Sequence, residues 1–263
     1  MTQQKTRHCK PIARGGARAG RKPAKNPDSG RVQLFGLHAV EAALANEKRR
    51  VYSIQATENA AHRLGPLTAR RGLEPKRVLP KALDRQLGAD TVHQGVLLEV
   101  GQLESLTLEE LDLSGTLLVL DQVTDPHNVG AALRSAAAFG AKGLVMTQRH
   151  SPPLSGVLAK SASGALDLVP IAQVRNLAEA MAELGEQGVT RLGLAEESEL
   201  ALEEVPLTYP LALVLGAEGR GLRQLTRDHC DVLCRISTVS AFASLNVSNA
   251  AAVALHWAQV RVK

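Results

Sequence analysis

Aromatic side chains are nearly absent: one Trp, two Tyr and three Phe make up 2% of the 263 residues. A chain this poor in rings is not expected to stack a row of bases across a sheet face as RRM domains do. Cysteine is scarce as well. Cys9, Cys230 and Cys234 are too few for a disulfide framework and suit a reducing compartment, so a cytoplasmic location is expected. His229 sits beside Cys230, but zinc takes four ligands and no second pair lies near; the two cysteines are expected to pack at a helix–strand junction, and no metal is expected. No apolar run approaches the roughly 18 residues of a membrane span, and the polar N-terminus lacks the apolar stretch of a secretory signal. Three chemical signatures are missing too. There is no GxxxxGK[ST] and no GxSxG, and the glycines of 216–221 are spaced GxxGxG, so a P-loop, a serine-hydrolase elbow and a dinucleotide fingerprint are excluded.

Charge is present but unevenly placed. Residues 1–31 carry nine Lys/Arg against Asp28 alone, a net +8; the whole chain is +5, which leaves the body at −3. A Gly/Pro-rich basic arm without aromatics is expected to bind polyanions, the plainer reading being a solubilising extension. A second basic region, Arg63, Arg70, Arg71, Lys76, Arg77 and Lys81, falls within residues 32–100. That stretch reads as a small α/β domain: helix at 37–44, strand at 50–55, helix at 60–71, short helix at 82–87, buried strand at 95–100. Residues 101–115 (GQLESLTLEELDLSG) are acidic and amphipathic and read as a linker.

From residue 116 to 263 the pattern alternates. Apolar runs at 117–120, 144–147, 169–174, 192–195, 211–215 and 232–236 are separated by helical stretches at 128–139, 155–163, 177–184, 222–229 and 247–260. Strands interleaved with helices imply a parallel sheet flanked by helices. Run 117–120 (LLVL) is apolar at every position, as in a strand covered on both faces. Pro126 is read as barring a helix before it, so that Asn128 caps a helix ending at Gly140. Arg134 on that helix has Gly130, Ala131, Ala137 and Ala138 three and four positions away and no acidic partner. Two readings stand for it: a solvated arginine on an alanine-rich helix, or one in a trough where a ligand or another backbone approaches.

Three loops follow strands of this sheet: 121–128, 216–221 and 237–246. In a parallel sheet they share one edge and can converge on one pocket. Glycines at 216, 219 and 221 permit close backbone approach to a flat ligand. Glu218 stands among them, as a turn residue or an anchor, and His127 is given no role beyond orienting its loop.

Together, DPHNVGAALR (125–134), LGAEGRG (215–221) and SLNVS (244–248) resemble the three motifs of the SpoU (TrmH) family of RNA ribose 2′-O-methyltransferases, within the SPOUT superfamily. Ala217 replaces a frequent asparagine and Asn249 a usual apolar residue. Upstream, GLHAVEAAL (36–44) and VHQG (92–95) resemble the RNA-recognition domain of the family's RlmB-like branch, which is similar to ribosomal proteins of the L30e/L7Ae type. The resemblance implies a C-terminal SPOUT domain with a trefoil knot, S-adenosylmethionine as cofactor and a homodimer. It implies that Leu215, Gly216, Gly221, Ile236 and Leu245 hold the cofactor. Arg134 would act on the ribose hydroxyl, as base or as a phosphate-binding cation, reaching the partner subunit's cofactor, while Asn128, Glu218, Ser244 and Asn246 position the reactants. The implied substrate is RNA, a guanosine of 23S ribosomal RNA; the alternatives are a tRNA ribose methyltransferase and a non-catalytic RNA-binding or ribosome-assembly protein.

Overall fold

The computed structural model describes residues 30–154, 156–239 and 244–261. Of the basic arm only Gly30 and Arg31 fall within them, and Ser155, where the fifth helix was expected to begin, falls outside. The N-terminal sheet is built on two antiparallel pairs. Strand β1 (Arg31–Phe35) pairs with β4 (Val96–Gly101), which pairs with β2 (Val51–Ala56); the short β3 (Lys76–Arg77) adds in parallel to β2. Helices α1 (Leu37–Ala45), α2 (Glu58–Arg70) and α3 (Pro80–Leu87) complete the unit. Strand β1 has no counterpart in the sequence reading, because its alternation RVQLF shows only Leu34 fully buried and becomes a strand only against β4.

The second sheet is all parallel, in the order β10-β8-β9-β5-β6-β7. Its strands are β5 (Thr116–Asp121), β6 (Gly143–Thr147), β7 (Ile171–Val174), β8 (Thr190–Leu194), β9 (Leu211–Gly216) and β10 (Val232–Cys234). On β5, Leu118 and Leu120 point into one apolar cluster and Leu117 and Val119 into another. That is why its sequence has no polar alternation. The first cluster lies under α4 (Pro126–Ala138), α5 (Gly156–Ala162) and α8 (Val247–Arg261). The second lies under α6 (Leu177–Glu186), with Leu222 at the approach to α7 (Gln224–Asp228). Leu108 and Leu111, from the acidic stretch 101–115, are buried in this second cluster, and Leu106 bridges to Ala172 of β7.

The cap of α4 differs from expectation. The N-cap is Asp125, whose carboxylate accepts from the His127 backbone N–H at 2.9 Å, and Pro126 takes the first helical position. Proline is well suited there, since the N–H it lacks would have no helical partner. Asn128 is therefore not a cap, and its side chain is left for other contacts. Strand β7 also begins later than read: residues 165–167 form a 3₁₀ turn and the run becomes extended only at Ile171.

The two sheets are joined through α5 and the turn after it. A Cβ on Gly156 would meet the Gln33 carbonyl oxygen at 2.8 Å, and one on Gly164 the His38 carbonyl at 2.8 Å, so the two backbones are in contact at glycines. Beside them Asp167 accepts from Asn46 Nδ2 at 3.1 Å and faces Arg49 Nε at 3.7 Å, with both charged side chains almost wholly buried. Burial pushes the Asp167 carboxyl up, although Arg49 opposes it, and lowers the Arg49 guanidinium.

Candidate active site

Strands β5 and β9 are neighbours, and the chain leaves β5 towards β6 and β7 but leaves β9 for β10 on the far side. Their carboxyl ends thus form the point where connections diverge, the usual ligand crevice of an open α/β sheet. The loops 121–128 and 216–221 both start there, and residues 244–246 come to them at the foot of α8.

One buried carboxylate ties the first two loops together. Asp121, at the end of β5, accepts from the Arg223 backbone N–H at 3.1 Å, from Arg223 Nε at 2.7 Å and from Thr226 Oγ1 at 2.7 Å. It is 1% exposed, so three donors replace its lost water. The glycine loop is closed just as tightly. Gly221 N–H donates to the Ala217 carbonyl at 2.9 Å, and a Cβ on Gly216 would overlap the backbone of Gly221 and Leu222. Gly219 and Gly221 have φ of +75° and +63°, where a side chain is strained.

Three residues from three loops meet directly. Asn128 Nδ2 donates to Glu218 Oε1 at 3.1 Å, Asn246 Nδ2 donates to Asn128 Oδ1 at 3.0 Å, and Asn246 Nδ2 also donates to Glu218 Oε1. Asn246 Oδ1 in turn accepts the Ser248 backbone N–H at 2.9 Å, fixing the first turn of α8. The amides leave the carboxylate without a cationic partner among the described residues.

Alongside this triad is a cavity of about 220 Å³. Leu215, Gly216, Gly221, Ile236 and Leu245 all line it, as do Glu218 and Ser244. Asn128 and Asn246 stand behind Glu218 and do not line it. Sequence reasoning missed one wall, formed by Leu194 at the end of β8 and Glu196 and Glu197 beyond it, together with Arg227 and Arg235. The available signal was the pair of glutamates directly after the apolar run 192–195, on the same sheet edge as the other loops. Arg227 pairs with Glu197 and also donates from Nε to the Leu222 carbonyl at 3.0 Å, so it supports the glycine loop from below.

Arg134 is not brought to this cavity. It is exposed, makes no hydrogen bond or ion pair among the described residues, and lies six residues beyond Asn128, about 9 Å along α4. His127 contributes through its backbone, which meets the Asp125 cap and accepts from Ser161 Oγ at 3.1 Å. Burial pushes the thiols of Cys230 and Cys234 up to about 12, and no cluster of three potential metal ligands occurs among the described residues. Neither thiol is a nucleophile at neutral pH.

The cavity suits a ligand with one flat apolar part and one charged part. Leu215, Ile236 and Leu245 offer apolar surface, while Glu196 and Arg235 offer both signs of charge. S-adenosylmethionine, an adenine nucleoside joined to a zwitterionic amino acid, has that composition.

Two family models match the chain, the SpoU rRNA methylase family over residues 115–256 and the RNA 2′-O ribose methyltransferase substrate-binding family over residues 33–106. Among curated proteins, the 23S rRNA (guanosine-2′-O-)-methyltransferase RlmB of Pseudomonas putida is 39% identical over 233 residues, covering 85% of this chain and 94% of that one. The RlmB of Shewanella oneidensis is 40% identical over 234 residues, covering 84% and 94%. Among solved structures, the SpoU methyltransferase AviRb from Streptomyces viridochromogenes in complex with AdoMet superposes with a TM-score of 0.75 at 22% identity, covering 89% of this chain and 91% of that one, a likeness of fold. With its methylase model spanning more than half the chain and RlmB relatives matched almost end to end, this protein belongs to the SpoU rRNA methylase family.

Proposed function

We propose that the chain transfers a methyl group from S-adenosylmethionine to the ribose 2′-hydroxyl of a guanosine in 23S ribosomal RNA. The observation that carries this reading is the Asn128–Glu218–Asn246 triad beside the glycine-lined cavity at the β5/β9 edge. The RlmB names of relatives at 39% and 40% identity supply the substrate. Residues 32–100 are assigned to RNA binding and 116–263 to catalysis, with 101–115 between them.

S-adenosylmethionine, when bound, supplies an electrophilic methyl on a positively charged sulfur. Leu215, Gly216, Gly221, Ile236 and Leu245 hold it, largely by backbone and apolar contact. Transfer would exchange the methyl's bond to sulfur for one to the ribose oxygen, leaving a neutral thioether and passing the hydroxyl proton to water, so the chain must align the oxygen and favour the loss of that proton. Glu218, held by Asn128 and Asn246, fixes the ribose edge together with Ser244. Arg134 acts as a cation, since a guanidinium is not neutral in water, and places its charge near the oxygen or the adjoining phosphate.

Arg134 is exposed and does not line its own cavity, which fits action at the cavity of a second protomer. Val253 and Val260, seven residues apart on α8 and 42% and 46% exposed, offer apolar surface to such a dimer on either side of the exposed His256. A trefoil knot in the C-terminal domain, which the resemblance implies, belongs to the same proposal. Among the described residues no helix is long and apolar enough to cross a membrane.

The test is methyl transfer from labelled S-adenosylmethionine to ribosomal RNA and, separately, to tRNA, each lacking the modification, with the labelled nucleotide mapped. A single 2′-O-methylguanosine in 23S rRNA is expected. Label in tRNA alone would overturn the substrate, and failure to bind the cofactor would overturn the enzyme.

A further inference from the structure

A second cleft, of about 270 Å³, opens where the two sheets join. One wall is N-terminal, from Phe35, His38, Val92 and Gln94; the other is catalytic-domain, from Lys160 of α5 and Ser163 just beyond it. No carboxylate lines it. The polar groups it presents are a lysine ammonium, a hydroxyl, an imidazole and an amide, every one able to donate a hydrogen bond. Lys160 lies 5.4 Å above the Phe35 ring and has no carboxylate partner among the described residues.

Two further observations single out this cleft. Four non-glycine residues among those described have positive φ, and two of them, Gln94 at 53° and Ser163 at 49°, face each other across it. A third, Gln122, is in the first loop of the active site. Such backbone is strained and persists where surrounding structure holds it, commonly at binding sites. The cleft is also mechanically close to the triad. Helix α5 is wedged between the sheets: Gly156 meets Gln33 of β1, and Ser161 lies so close to Gly130 of α4 that a Cβ there would come within 2.5 Å. Ser161 Oγ donates to the His127 carbonyl, one residue before Asn128. A strand of RNA held in the cleft therefore rests on the helix that abuts the catalytic loop.

We infer that this inter-domain cleft binds a backbone phosphate of the substrate RNA flanking the methylated nucleotide, with Lys160 as its cation and Gln94 and Ser163 as neutral donors. The inference deepens the proposed function and rests on RNA being the substrate. It places recognition across both domains, so the distance from the held phosphate to the reacting ribose is set by the rigid α5–α4 contact.

The experiment measures the affinity of the full chain for unmodified 23S rRNA by filter binding across a series of salt concentrations, apart from any measurement of transfer. Two exposed positions are changed separately, Lys160→Gln and Val92→Glu; Val92 is 67% exposed, so the new carboxylate enters the cleft without disturbing the core. Each variant is expected to bind about tenfold more weakly, the size of one charge-assisted contact. Lys160→Gln should also flatten the slope of log affinity against log salt by about 0.7 to 0.9. S-adenosylmethionine affinity should stay at the wild-type value in both. Wild-type RNA affinity and slope in both variants would overturn the cleft while leaving the methyltransferase intact. Loss of binding in the variants with no methyl transfer by the wild type would uphold the cleft and overturn the proposed reaction.

Discussion

The basic stretch of the N-terminal unit and helix α4 use their arginines in opposite ways. In the N-terminal unit, arginines that look available for RNA are committed to the fold. Arg63 pairs with Glu41 at 2.7 Å, Arg70 donates to the Ala45 carbonyl at 3.3 Å, and Arg71 donates to the Glu47 carbonyl at 3.2 Å and to that of Arg49. The last two cover the open carbonyls after α1, where helix ends favour positive charge. At the catalytic edge the amides and the carboxylate bond one another, and Arg134 is left with no partner among the described residues. Counting charge along a sequence does not separate a structural cation from a free one. Contacts do: among the described residues Arg134 has no partner and Lys160 has no carboxylate partner.

The sharpest way to break that contrast is Arg134→Ala. An exposed side chain without partners contributes little to folding, so the melting midpoint and cofactor affinity should be unmoved while methyl transfer falls by at least about 100-fold. Retention of most turnover would show that the unpaired arginine is only a solvated one. A mixture of Arg134→Ala with a second variant defective in the cavity, such as Gly216→Val, should regain part of the activity if Arg134 serves the neighbouring protomer. No recovery, with mixed dimers present, would confine it to its own chain.

Next in size is a contrast between two carboxylates 97 residues apart in sequence and one loop apart in space. Asp121 is buried under three donors, and Glu218 is exposed and held by two amides. Asp121→Asn replaces an acceptor by a group that must present N–H to at least one donor, so stability should drop by about 2 kcal/mol, with activity lost as the glycine loop loosens. Glu218→Gln should leave the melting midpoint nearly unchanged and lower turnover by about tenfold or more. Equal losses of stability in both would erase the distinction between the carboxylate that builds the site and the one that works in it.

How much of this could be read from residues alone follows the same division. Strands β5 and β9 were legible because burial on both faces leaves nothing polar in the run. The convergence of Asn128, Glu218 and Asn246 was legible as motif order plus the rule that parallel strands share a carboxyl edge. The cap of α4 was not, because Asp125 and Asn128 are both good capping residues and Pro126 can precede a helix or begin one; only the Asp125–His127 contact decides it. Residues 196 and 197 were missed because a pair of glutamates after a strand is ordinary surface sequence until the cavity is seen. Strand β1 was hidden for want of its partner, since an alternating edge strand has little signal until β4 lies beside it.

The smallest expected effect tests the N-terminal half of the contrast. Residues 60–81 carry enough positive charge to read as an RNA face, yet Arg63 is already engaged with Glu41 on the surface. Exposed pairs of this kind contribute little on balance, because solvent screens them and two long side chains lose freedom. Arg63→Gln should therefore leave both the melting midpoint and the affinity for 23S rRNA within about twofold of wild type in equilibrium terms, with no change in the salt slope. Lys160→Gln removes the same unit of charge from the cleft and should change both affinity and slope. If the two variants lose affinity equally, RNA senses the overall field of the protein rather than a built phosphate site, and the contrast between committed and free cations fails at the N-terminal domain.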